Sequence, residues 1–247
     1  MQFKPKFDLL KHWDEVGNGK TRKPPYVAIF RKGNKTLVYM ADLHAKENSW
    51  NMVDWCFSKD FGIKPDILLT EFENAGRDLY TDPRKNDNTL SHAAFVAAGH
   101  NVPVVLADLS ASQMMSVINT EDKKYLSSVL RAGPFNAGNK LQQDCAKLNM
   151  YARNPFMLEN IATALNQYDT VFCIFGEGHL CEQSAVLEDM LGKPEYITEF
   201  PNMRTDFSNK KRNVFVRACD KIASKLHKME IVRLIEFDMF KGGKQNG

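Results

Sequence analysis

Histidine accounts for only 6 of the 247 residues, yet two of them, His44 and His179, directly follow apolar runs. Each has a carboxylate two residues before it, Asp42 and Glu177. Imidazole and carboxylate together suit a divalent ion such as zinc, manganese or cobalt, and such an ion lowers the pKa of a bound water. A histidine can also activate water without a metal. Further acids close other apolar runs: Glu71, with Glu73 beyond it, follows Ile67 to Thr70, and Asp108 follows Val102 to Ala107. Arg153, just before a helical stripe of Met157, Ile161, Ala164 and Leu165, is either a fixed positive charge for a substrate carbonyl or anion, or simply a partner for a carboxylate.

Other routes to catalysis are not encoded. No Gly-x-Ser-x-Gly elbow is present, no cysteine sits in a nucleophile motif, and Gly176-Glu177-Gly178-His179 lacks the Lys and Ser/Thr of a phosphate loop and the third glycine of a dinucleotide fingerprint. Its two glycines would let the backbone turn sharply and bring His179 close to a ligand, although the start of a helix reads the same way. His12, His92, His100 and His227 lack any comparable setting and read as surface or packing residues.

The elements that must position these groups follow from periodicity. Two β-type runs, Tyr26 to Arg31 and Thr36 to Met40, flank Gly33-Asn34 and predict an N-terminal hairpin. Short runs at Ile67 to Thr70, Val102 to Leu106 and Thr170 to Phe175 then alternate with helical stretches at Ser49 to Phe57, Leu90 to Ala98, Glu121 to Leu130, Lys140 to Gln167 and Cys181 to Leu191. Alternation of this kind predicts an α/β fold with a mostly parallel central sheet flanked by helices, whose ligands gather outside the carboxyl ends of the strands. A polar loop is expected over Gly76 to Asn88, a strand near Tyr196 to Phe200, a last helix from about Val214 to Leu226, and a frayed tail at Gly242 to Gly247.

The totals agree with one α/β domain over residues 1–247, since 43% apolar content is enough for a continuous core. A net charge of +3, from 33 basic against 30 acidic residues, gives no electrostatic case for nucleic acid. Five cysteines without a CxxC pair fit a reducing compartment, no apolar leader follows Met1, and the longest apolar runs fall far short of the roughly eighteen residues of a membrane span. A soluble, cytoplasmic protein with no membrane partner is therefore expected, its oligomeric state open.

Taken in order, Ala41-Asp42-Leu43-His44, Leu68-Leu69-Thr70-Glu71, Val104-Val105-Leu106-Ala107-Asp108, Arg153-Asn154-Pro155-Phe156-Met157 and Gly176-Glu177-Gly178-His179-Leu180 resemble the TraB, Tiki, ChaN and erythromycin-esterase superfamily. The resemblance spans roughly Leu37 to Leu191 and is most specific in its late block, Arg153-Asn154 through His179. It implies that His44, Glu71, Arg153 and His179 line the pocket, with Asp42 where relatives often have Glu and Asp108 as the acid after the third strand. What it implies ranges across metal-dependent peptidases, esterases acting on macrolide rings, haem-binding lipoproteins and pheromone-shutdown proteins; the leading expectation is a metal-dependent peptidase- or esterase-like hydrolase acting on a small-molecule or peptide substrate. Here His44 and His179, with Glu71 or Asp42, would hold the metal, and Glu71, Arg153, Asp42 and Asp108 would serve catalysis. Ala41 stands where the first motif often has glycine, and no arginine follows Asp108. These departures motivate the alternative: a catalytically inactive ligand-binding or regulatory protein of the same fold, with haem-binding as a further variant.

Overall fold

The computed structural model describes residues 2–16, 22–42, 46–71, 89–132 and 139–201. His44, Glu73, the Gly76 to Asn88 loop, the helix expected from Val214 and the tail lie outside the described residues.

The hairpin forms as its sequence dictates. Strands β1 (Tyr26–Lys32) and β2 (Lys35–Asp42) pair antiparallel from Tyr26 opposite Ala41 to Lys32 opposite Lys35. Gly33 alone takes a positive φ, of 63°, which is the demand of a type II′ turn on its first central residue. Strands β3 (Ile67–Thr70), β4 (Val104–Leu106) and β5 (Thr170–Gly176) follow the three later apolar runs, and β6 (Glu195–Ile197) is a short edge.

Together they make one six-stranded sheet in the order β4-β3-β5-β2-β1-β6. Parallel ladders join β4 to β3, β3 to β5 and β5 to β2, whereas β1 joins β2 and β6 antiparallel. The expectation of a mostly parallel sheet is thus only partly right and the sheet is mixed. A two-residue hairpin can join only antiparallel neighbours, and β6 adds antiparallel to the hairpin's outer strand.

Side-chain alternation divides the core between two faces. Leu37, Tyr39, Ile67, Leu69, Cys173 and Phe175 face helices α7 (Asn154–Gln167) and α8 (Glu177–Leu191). Val38, Met40, Leu68, Phe172 and Ile174 face α2 (Lys46–Cys56) and α3 (Thr89–Gly99). Phe30, Phe172 and Phe175 are almost wholly buried, each contributing about 1.5–3 kcal/mol through lost apolar exposure. The short α1 (Trp13–Val16) precedes the sheet in the chain. Helices α4 (Ala111–Val117), α5 (Lys123–Ala132) and α6 (Lys140–Leu148) enclose a third, smaller cluster around Met114, Leu126, Val129 and Leu148. Helix α4 was not expected. Its Ser110 and Gln113 form a reciprocal capping box, a signal readable in the sequence.

The long helical stretch expected over Lys140 to Gln167 is continuous but contains a π-turn at Asn149–Arg153. Pro155 accounts for it. Proline cannot donate to the carbonyl four residues back, that of Tyr151, and its ring crowds that carbonyl. The helix relaxes by one residue so that the Asn154 amide bonds the Asn149 carbonyl. No helix among the described residues is long and apolar enough to cross a membrane.

Candidate functional site

Sheet order decides which strand ends meet. Strand β5 enters last among the parallel strands yet lies between β2 and β3. From β2 and β3 the chain passes to helices on one face, and from β5 to α8 on the other. This divergence opens a crevice at the carboxyl ends of β3 and β5, the place where open α/β sheets bind ligands.

Glu71 occupies that crevice. It continues β3 on the parity of Ile67 and Leu69, so its side chain lies on the α7/α8 face. Its Oε1 accepts a hydrogen bond from the Gly176 amide at the end of β5 and stands 3.9 Å from His179 Nε2. Its Oε2 is 3.6 Å from Arg153 Nη2. Gly176 has an ordinary φ of −56°, so its glycine is explained by space. A Cβ there would lie 3.3 Å from Glu71 Oε1 and 3.8 Å from His179 Cδ2.

Arg153 comes from the last residue of the π-turn and is buried. Asp108, beyond β4, grips it with Oδ2 2.7 Å from Nη2 and both oxygens within 3.2 Å of Nε, while Asn149 Oδ1 accepts from Nη1 at 3.1 Å. Burial works against the guanidinium charge, but Asp108 and Glu71 outweigh it and hold the pKa of Arg153 above its ordinary value. Asp108 also accepts the Leu109 amide at 2.7 Å, so both its oxygens serve to fix Arg153 and the turn after β4.

His179 lies in the first turn of α8. Helix α8 begins at Glu177, straight from the strand, and the Gly176-to-His179 stretch is that helix start rather than a separate loop. Behind the ring, Nδ1 is 2.7 Å from Asn154 Oδ1, Gln183 Nε2 donates to the same oxygen at 2.9 Å, and Asn154 Nδ2 donates to Glu182 Oε2 at 2.7 Å. Tyr39 hydroxyl donates to Gln183 Oε1 at 3.2 Å. Glu182 and Gln183 were not anticipated. Their spacing of three and four residues from His179 puts them on its helical face, which is the signal that could have found them.

Asp42 is positioned differently. It shares parity with Val38 and Met40 and so faces α2, where its Oδ1 accepts from Ser49 Oγ at 2.5 Å. Among the expected site residues, Glu71, Asp108, Arg153 and His179 are therefore assembled on one face and Asp42 lies on the other. His44 is outside the described residues. Among those described, no group of three or more His, Cys, Asp and Glu side chains is arranged to hold a metal ion. His179 and Glu71 supply a nitrogen and an oxygen donor of the kinds zinc, manganese or cobalt accept, and a third donor would have to come from elsewhere.

His92, read as surface or packing, is a packing residue. It is buried, with Nε2 2.8 Å from Asp54 Oδ1 and its ring stacked on Trp50 at 4.9 Å. Cys56, Cys145, Cys173 and Cys181 are free thiols. No protein-family model matches the chain, and no curated protein or solved structure matches it significantly.

Proposed function

We propose that this chain is a metal-assisted hydrolase of peptide or ester bonds, a relative of the TraB, Tiki, ChaN and erythromycin-esterase superfamily. The observation that carries the reading is the placement of His179 Nε2 and Glu71 Oε1, 3.9 Å apart beside the buried Arg153 guanidinium, in the crevice between β3 and β5. An imidazole nitrogen and a carboxylate oxygen that face each other are donors of the kinds a divalent cation takes.

In this reading His179, Glu71 and His44 hold a zinc, manganese or cobalt ion, which would lower the pKa of a bound water. The protein's own groups do the rest. Arg153, locked by Asp108 and Asn149, provides a positive charge that costs no reorganisation when an oxyanion develops beside Glu71. Asp108 acts through Arg153 as its positioning carboxylate. The Gly176 amide orients Glu71. Asp42, on the opposite face, orders the start of α2 through Ser49. The substrate is a small molecule or peptide. The free thiols support a reducing, cytoplasmic setting.

The test is elemental analysis of the purified chain before and after adding zinc, manganese or cobalt, with peptide and ester substrates screened in parallel. Near-stoichiometric metal and hydrolysis, both lost in His44→Ala and His179→Ala, are expected. A wild-type protein that takes up none of the three ions and cleaves no substrate overturns the reading.

A further inference from the structure

The side chains behind His179 have a direction. Tyr39 is wholly buried, and burial, with smaller contributions from Cys173 and Glu71, pushes its pKa well up, so its hydroxyl keeps its proton. That hydroxyl donates to Gln183 Oε1 at 3.2 Å, and Gln183 Nε2 donates to Asn154 Oδ1. From the other side, Asn154 Nδ2 faces a carboxylate oxygen of Glu182 at 2.7 Å, and a carboxylate accepts. The donors run from Tyr39 to Gln183 Oε1, from Gln183 Nε2 to Asn154 Oδ1 and from Asn154 Nδ2 to Glu182, which presents the Asn154 oxygen to His179. A carbonyl oxygen has no proton to give. The contact of 2.7 Å between Asn154 Oδ1 and His179 Nδ1 must therefore use a proton on the ring.

We infer that Asn154, clamped between Glu182 and Gln183, is a positioning residue that holds His179 as the Nδ1–H tautomer and turns the Nε2 lone pair toward Glu71. A neutral imidazole carries one N–H, so a proton held on Nδ1 makes Nε2 the acceptor and the metal-ligating atom. The ring orientation is secured as well, because Asn154 is fully buried at the start of α7. Outer partners of this kind orient a ligating histidine and raise its basicity. The use made of Nε2 rests on the hydrolase reading, whereas the tautomer does not.

The experiment is two-bond proton–nitrogen NMR on the full chain labelled with 15N-histidine, followed by zinc titration. The wild-type His179 ring is expected to show a protonated Nδ1. Asn154→Leu, which removes the acceptor, should shift the ring toward the Nε2–H form and weaken zinc binding by about 10- to 100-fold. A wild-type ring found as Nε2–H, or an Asn154→Leu spectrum unchanged from wild type, overturns the inference. The wild-type spectrum alone decides it should Asn154→Leu fail to fold. If the Nδ1–H form is found but wild type binds no zinc, manganese or cobalt, the inference stands and the hydrolase reading fails.

Discussion

On the α7/α8 face, the buried polar groups at the sheet's carboxyl edge are linked from one to the next: Tyr39 to Gln183, Asn154 and His179, then across Glu71 to Arg153 and Asp108. On the α2/α3 face Ser49 donates to Asp42, and His92 meets Asp54. Beside them the buried hydroxyls of Thr70, Thr89 and Ser91 have no hydrogen-bond partner among the described residues. Both faces bury histidine and carboxylate, so burial of such groups does not by itself identify a site. What marks the α7/α8 set is that each group's orientation depends on the next and that the groups converge at the carboxyl edge of the sheet.

The largest test of that contrast removes one carboxylate from each face. Asp108→Ala leaves a buried, charged guanidinium without its main partner and is expected to cost about 3–5 kcal/mol in denaturant unfolding. Asp54→Ala removes the Asp54 contact of the buried His92 and is expected to cost about 1–3 kcal/mol. Equal losses would show that the two faces are not different in kind. Next comes Gly176→Ala. Its added methyl would sit 3.3 Å from Glu71 Oε1, the end of a flexible side chain, so stability should change little while zinc affinity falls by about tenfold or more. Unchanged affinity in a folded variant would detach Glu71 from the metal reading.

A smaller effect of opposite sign is expected on the other face. Thr70→Val exchanges an unpartnered buried hydroxyl for a methyl of similar shape and should be neutral or stabilising by up to about 1 kcal/mol in thermal melts. A clear loss of stability would mean that this hydroxyl is bonded in solution. The smallest effect is chemical. Cys181 is pushed up to about 12, by burial first and then by Glu177 and Glu182, so it remains a thiol at neutral pH. Because the folded pKa is raised, its contribution to stability is complete below the unfolded value of about 8.5 and fades as pH rises toward the folded one. Iodoacetamide at pH 7.5 should label it slowly in the native protein and quickly after denaturation.

Much of this arrangement is legible in the residues themselves. Gly33-Asn34 between two β-type runs predicts the hairpin, and the apolar runs ending in Glu71 and Asp108 locate β3 and β4. The stripe of Met157, Ile161, Ala164 and Leu165 is buried on α7 as its spacing requires. What local pattern could not reveal depends on strand order. Asp108 and Glu71 reach Arg153 together only because β4, β3 and β5 are neighbours, and β5 follows β4 after more than sixty residues of chain. Asp42 looked equivalent to Glu71, since both end a strand, but parity sends them to opposite faces. Helix α8 starts at Glu177, four residues before Cys181, because attachment to the strand and packing override the poor helix propensity of Gly178.

The π-turn before α7 has a consequence for tolerance to insertion and deletion. Helical registry advances by about 100° per residue, and the extra residue between Asn149 and Arg153 is what separates the phase of α6 from that of α7. Loss of Met150, Tyr151 or Ala152 would remove the extra residue while leaving Asn149 and Arg153 in the chain. Arg153 would then be turned away from Asp108, or α6 would be turned away from its cluster with Leu126 and Val129. A length change that an exposed helix end would absorb is, at this point, a change of phase between two packed layers.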